Sequence, residues 1–355
     1  MNKISQRGVS EARDFSYLPF EQREKKFRLF FLIFSLIFVS GGLLSFCWGH
    51  FEASPIVLAR ALWEGGDPIL QTIAKIRLTR TLLAASVGAT LALSGAIFQA
   101  LLRNPLAEPY TLGVSTGAAF GATLALFLGI VSNIAIPLFA LGGAGFTLFW
   151  VIFLSRTEEG AFRPATLILA GLVVSSFLAA GISLLKSLAD ETVSSIVFWL
   201  LGSFSGRGPG HFLFFWPYAL PLFVLAWLFH KELDLLSLGD EEALELGVPV
   251  SRVRGFLTLS ACLAAAVCVA VSGVIGFVGL IVPHLVRLLC GANHRQLLPL
   301  SALLGASLLL FSDILARNIL PTGEELPIGV VTALLGAPFF AWLLKRKKRE
   351  IEWLP

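Results

Sequence analysis

What most constrains this chain is its repeated runs of about twenty apolar and small residues. The most informative reads RLTRTLLAASVGATLALSGAIFQALLRNPLAEPYTLG over residues 77–113. Soluble cores rarely need so long a run, whereas about 20 helical residues cross the hydrocarbon of a bilayer. The loop RNPLAEP, with its two prolines, ends that helix and places Arg103, Asn104 and Glu108 at one membrane face. Only 14% of the 355 residues are charged and 56% are hydrophobic. Soluble domains carry about 25% charged residues, so a chain of soluble domains is excluded. The apolar runs are continuous rather than alternating, which selects helices over a barrel. The expected fold class is therefore all-α, a polytopic membrane protein of about ten transmembrane helices.

Hydropathy places candidate spans at 29–49, 81–101, 111–131, 134–154, 165–185, 212–230, 256–272, 274–290, 298–316 and 327–344. The seventh and eighth come from one 35-residue apolar stretch, divided at Ser272-Gly273. One single transmembrane domain over 29–344 results, with a polar tail at 1–28, a loop at 231–255 and a basic tail at 345–355. If the loops alternate sides, twenty of the 27 Lys and Arg residues fall on the side of the two tails. The positive-inside rule then predicts that both termini are cytoplasmic, as an even number of spans requires. The outer side keeps two long segments, 50–80 and 186–211. The second holds an apolar piece, Thr192 to Leu201, too short to span and expected as an interfacial helix. The Lys and Arg excess reads as membrane topology rather than nucleic-acid binding. Cys47, Cys262, Cys268 and Cys290 lie in or beside apolar runs without CxxC or His spacing, so they read as buried hydrophobes and no metal site is expected. His284, after Pro283, reads as a packed or loop histidine rather than a haem ligand.

The loop LSLGDEEALELGVPVSRVR (236–254) carries a bounded helix signal. Asp240 is an expected N-cap, Glu241 and Glu242 suit the first turn, Gly247 is a natural stop and Pro249 follows. So short a helix is unstable alone and must pack on something. Residue physics leaves two readings open: a docking helix for a partner (Asp240, Glu241, Glu242, Ala243, Leu244, Glu245, Leu246 and Gly247) or a turn packed on its own bundle. The dipeptide Gly-Lys is absent, so no P-loop exists and any ATPase must be another subunit.

Four segments resemble the permease subunits of the FecCD family, the type II ABC importers of ferric siderophores, haem and cobalamin. They are residues 76–122, SLGDEEALELGV at 237–248, residues 272–317 and ELPIGVVTALLGAPFFAWLL at 325–344. This chain has Thr79 where the family pattern has proline, and the N-terminal tail is no part of the pattern. The resemblance implies ten spans, a homodimer with the pathway at its interface, two cytoplasmic ABC ATPase subunits that hold ATP and Mg, and an external substrate-binding protein. No cofactor is expected on this chain. It implies a bacterial or archaeal inner membrane. It makes 240–247 the ATPase-docking helix and turns Arg77, Arg80 and Arg317 toward acids of the binding protein. It places Asn104, Pro105 and Leu106 beside a cytoplasmic gate. Small and hydroxyl residues of the second span, Ser86, Thr90, Ser94 and Gln99, are expected to line the pathway.

Two other classes compete. A self-sufficient secondary transporter would carry a coupling charge in mid-span; Asp313 is the nearest and lies close to a span end. An intramembrane enzyme would need a catalytic dyad or a metal motif such as HExxH within the spans, and the sequence has none.

Overall fold

The computed structural model describes residues 20–49, 54–64, 67–155, 164–320 and 323–351. All regular structure in them is helical. The helices are α1 (Phe20–Cys47), α2 (Pro55–Trp63), α3 (Pro68–Leu101), α4 (Val114–Phe127), α5 (Ala135–Ser155), α6 (Pro164–Leu188) and α7 (Val193–Leu200). They continue with α8 (Pro209–Leu228), α9 (His230–Leu238), α10 (Asp240–Glu245), α11 (Val250–Ser272), α12 (Val278–Cys290), α13 (His294–Asn318) and α14 (Ile328–Ile351). A 3-10 turn, Pro109–Leu112, precedes α4.

Seven helices are long and apolar enough to cross a membrane: α1, α3, α5, α6, α8, α11 and α13. Three shorter apolar helices, α4, α12 and the Ile328–Trp342 part of α14, bring the number to the expected ten. The break expected at Ser272-Gly273 is present: Gly273 has φ +72°, and the chain stays non-helical through Phe277. α7 matches the expected short apolar helix. Several boundaries differ. α3 begins at Pro68 rather than 81, inside the expected outer segment 50–80, and α11 begins at Val250 rather than 256. α1 begins at Phe20, inside the expected tail, and α14 runs to Ile351 through the basic residues. Residues 1–19 and 352–355 of the two tails lie outside the described residues.

α3 forms the axis of the bundle and packs against α11, α12 and α13, its outer neighbours being α1, α2 and α8. Its sequence explains the placement. A Cβ at Gly95 would collide with the Gly279 carbonyl of α12, and a Cβ at Gly88 with the Gly305 carbonyl of α13. Small residues in membrane helices permit such backbone approach, which maximises dispersion contact where no hydrophobic drive separates helix from lipid. α4, α5 and α6 form a second group in contact with one another. Exposed leucines and phenylalanines cover the periphery, for example Leu36 at 62% and Phe153 at 61%, as lipid-facing positions require.

Candidate transport interface

At one end of the bundle, α10 projects between α9 and α11. Ala243 is fully buried beneath it, while Leu244 and Leu246 are 58% and 63% exposed. Glu241, Glu242 and Glu245 are exposed around them. The helix stops where expected: Gly247 has φ +85° and donates its N–H to the Leu244 carbonyl. Its start corrects the expectation. Gly239 is the N-cap, and Asp240 makes no capping bond. A second demand takes the Asp240 carboxylate. Arg254 of α11 grips it in a fork, with Nη1 to Oδ2 at 2.9 Å and Nη2 to Oδ1 at 2.6 Å. Arg103 reaches the same Oδ1 at 3.6 Å. The Arg254 hydrogen bonds hold the Asp240 pKa below the ordinary carboxylate range, against the opposing effect of burial. α10 is thereby tied to α11 and to the loop that follows α3.

That loop holds the expected gate. Arg103 has φ +48°, an uncommon conformation for a residue other than glycine. The Asn104 Oδ1 accepts the Leu106 N–H at 3.0 Å, and the Asn104 carbonyl accepts the Ala107 N–H at 3.0 Å. Asn104, Pro105 and Leu106 thus form one compact, half-buried turn. Glu108 follows, half-buried and without a side-chain partner among the described residues, and burial pushes its carboxyl up to about 7.

The expected pathway lining needs correction. Thr90 and Ser94 are fully buried and Gln99 is 1% exposed, so all three face the interior of the subunit. Thr90 bonds back to the Ser86 carbonyl, and Ser94 Oγ reaches the Ala261 carbonyl of α11 at 3.3 Å. Gln99 Nε2 donates to the Leu280 carbonyl at 3.0 Å and reaches the Gly279 carbonyl at 3.5 Å. Pro283 lacks an N–H and leaves the Gly279 carbonyl without its helical donor, which accounts for the longer of the two contacts. Of the four, only Ser86 is half-exposed, and its hydroxyl bonds to the Leu82 carbonyl.

At the opposite end of α3, the structure also corrects the arginines expected to face a partner. Arg77, Arg80 and Arg317 are 7%, 8% and 5% exposed. Arg80 donates to Asp313 of α13, with its shortest contact 2.8 Å, and forks onto Glu325 at 2.8 and 2.9 Å. Arg317 pairs with Asp313 at 3.2 Å and donates to the Ser45 carbonyl of α1 at 3.1 Å. Arg77 caps the end of α1 through the Phe46 and Cys47 carbonyls. Glu325, at the start of the matching segment 325–344, pairs with Arg80. Burial opposes its ionisation, but the Arg80 hydrogen bonds and charge prevail and its pKa is lowered. The cluster joins α1, α3, α13 and the segment before α14. The cysteines are free and no metal-ligating group of three occurs among the described residues.

The pattern of the FecCD transport family matches residues 36–346, which include both ends just described. The chain belongs to the FecCD transport family. It is a permease subunit of an ABC importer. This FecCD permease is 42% identical to the uncharacterized ABC transporter permease protein YvrB of Bacillus subtilis, over 92% of this chain and 96% of that one. It is 39% identical to the molybdate import system permease protein MolB of Haemophilus influenzae, over 89% and 95%. Other relatives are named for import of cobalamin, Fe(3+)-citrate and hemin. Among solved structures, a putative metal-chelate type ABC transporter in an inward-facing conformation matches with a TM-score of 0.77 and 37% identity, over 89% of this chain and 98% of that one.

Proposed function

We propose that this FecCD permease works as a homodimer that carries a metal chelate, such as a ferric siderophore, haem or cobalamin, across a bacterial or archaeal cytoplasmic membrane. Two separate ATPase subunits bind ATP and Mg and dock on α10. The observation that carries this reading is the pairing of exposure and anchorage in α10. Leu244 and Leu246 face solvent at the non-lipid end, while Asp240 beneath them holds Arg254 and Arg103. Exposed leucines on an anchored helix are what a helix-in-groove contact requires. A displacement of α10 by the ATPase is transmitted through Asp240 to α11 and to the turn at 104–106, which acts as the cytoplasmic gate.

The α10 end is then cytoplasmic, together with both termini. The opposite end faces outward and receives the external binding protein. Arg77, Arg80 and Arg317 build that surface from within rather than extending from it. Affinity purification of the tagged chain from its native membranes in mild detergent tests the reading. One ATPase per permease is the expected result. A chain that purifies alone, even after crosslinking, would return the weight to a self-sufficient transporter.

A further inference from the structure

Between α7 and α8, the segment SGRGPGH (205–211) contains charge that the fold does not use. Its neighbourhood is the arginine end of the bundle. Ser203 N–H bonds to the Ser272 carbonyl at 2.7 Å, and the Gly202 carbonyl accepts the Ile328 N–H at 3.0 Å, which wedges the segment between α11 and α14. Ser205 reaches Glu325. Yet Glu325 is engaged by Arg80, and Asp313 by Arg80 and Arg317. Arg207 is therefore left over. It is half-buried, its Nε is fully enclosed without an acceptor, and it has no ion pair among the described residues. His211, within electrostatic reach of Arg207, is 4% exposed, and its Nε2 has no partner among the described residues. The backbone beside them is open: a Cβ at Gly206, Gly208 or Gly210 would meet nothing within 4 Å. Here, too, α8 begins, with Pro209 at its first turn and its N–H groups directed toward the same segment.

A half-buried guanidinium whose Nε is enclosed without an acceptor is costly when no counter-charge sits beside it, so such a group is retained where something else supplies the charge. We infer that Arg207, with His211 and the start of α8, forms a subsite for an anionic group of the cargo, a carboxylate or comparable oxyanion. This rests on the importer reading and narrows its substrate class to anionic chelates and oxyanions. Arg207 supplies the planar, charge-assisted contact, and His211 supplies a second polar contact at the back of the subsite.

The test uses the permease–ATPase complex in lipid nanodiscs, treated with phenylglyoxal, with modification of the Arg207 peptide followed by mass spectrometry. The expected result is that Arg207 reacts in the ligand-free complex. At least one of ferric citrate, molybdate and hemin then slows that reaction, while neutral sorbitol does not. For the protecting anion, Arg207→Gln is expected to weaken calorimetric binding at least about tenfold, or 1.4 kcal/mol. Arg207→Lys is expected to recover part of it. Any of three results would overturn the inference: no reaction without ligand, no slowing by any of the three anions, or equal protection by sorbitol. Protection by the cargo-free binding protein alone would assign the site to a partner's carboxylate and overturn it as well. If Arg207→Gln does not fold, the labelling of the natural chain still decides. Loss of the ATPase during purification would count against the importer reading and leave the labelling result separate from it.

Discussion

At the residue scale, the buried charges show what a sequence can and cannot announce. Arg77 and Arg80 are visible as a pair at the end of an apolar run, and their spacing predicts a shared face. That Asp313 and Glu325 converge on Arg80 is invisible, because the partners lie 233 and 245 positions away. Only the packing of α13, and of the segment before α14, against α3 brings them together. Gln99 misleads for the same reason, since the carbonyls it meets, those of Leu280 and Gly279, lie on another helix. If Arg80 is structural, Arg80→Gln leaves the Asp313 and Glu325 carboxylates under-compensated and lowers stability by about 3 kcal/mol or more, read as a large fall in melting temperature of the detergent-solubilised chain. A purely docking arginine would leave that temperature unchanged. Glu108 offers a test with pH. Its carboxyl titrates at about 7 in the fold, above the ordinary glutamate value of about 4.5. The folded chain therefore binds the proton more tightly than the unfolded one. The contribution of Glu108 to stability is fully present below about pH 4.5 and is lost as pH rises through 7, a loss of about 3 kcal/mol. Glu108→Gln should remove that decline, so its melting temperature should gain on the natural chain between pH 5 and 8. Parallel curves would contradict the assignment.

At the element scale, α10 was the most legible part of the site and was still read incompletely. Its acidic start, its stop at Gly247 and the following Pro249 are all local signals, and the helix forms between them. Its anchorage is not local, since Arg254 lies in the next helix and Arg103 follows α3. The capping role therefore passed from Asp240 to Gly239 once Arg254 claimed the carboxylate. Two kinds of substitution separate these roles. Leu244→Asp with Leu246→Asp changes only exposed side chains, so the expected outcome is a stable permease that no longer retains its ATPase on affinity purification. Asp240→Asn keeps the leucines in place and weakens the ties to Arg254 and Arg103. It should retain the ATPase while lowering cargo uptake per ATP hydrolysed in proteoliposomes. Unchanged coupling in Asp240→Asn would remove Asp240 from the transmission route.

At the scale of the whole molecule, the number of spans was legible because hydropathy records how much apolar chain exists, whatever its conformation. The form of the spans was not. α4 and α12 have 14 and 13 residues, about 20 Å of helix each, short of the ~30 Å of hydrocarbon. The remainder of each crossing is made by irregular chain, the turn at 109–112 before α4 and residues 273–277 before α12. Non-helical backbone at membrane depth is tolerated only where it is enclosed by protein or borders a water-filled cavity. Part of 273–277 is enclosed: Gly273 and Ile275 are buried, Gly273 abuts the Trp199 carbonyl, and Phe277, held at φ +70°, packs against Gly336. Gly276 is different, being half-buried with nothing within 4 Å of a Cβ placed there. The importer proposed above would place its aqueous pathway along that space. In a Cys47→Ser background, whose three remaining cysteines are buried, Gly276→Cys should react with a charged, water-soluble maleimide in reconstituted vesicles, while Leu36→Cys on the lipid-exposed face of α1 should not. Equal resistance at both positions would place the opening at Gly276 against lipid and take the pathway away from the break between α11 and α12.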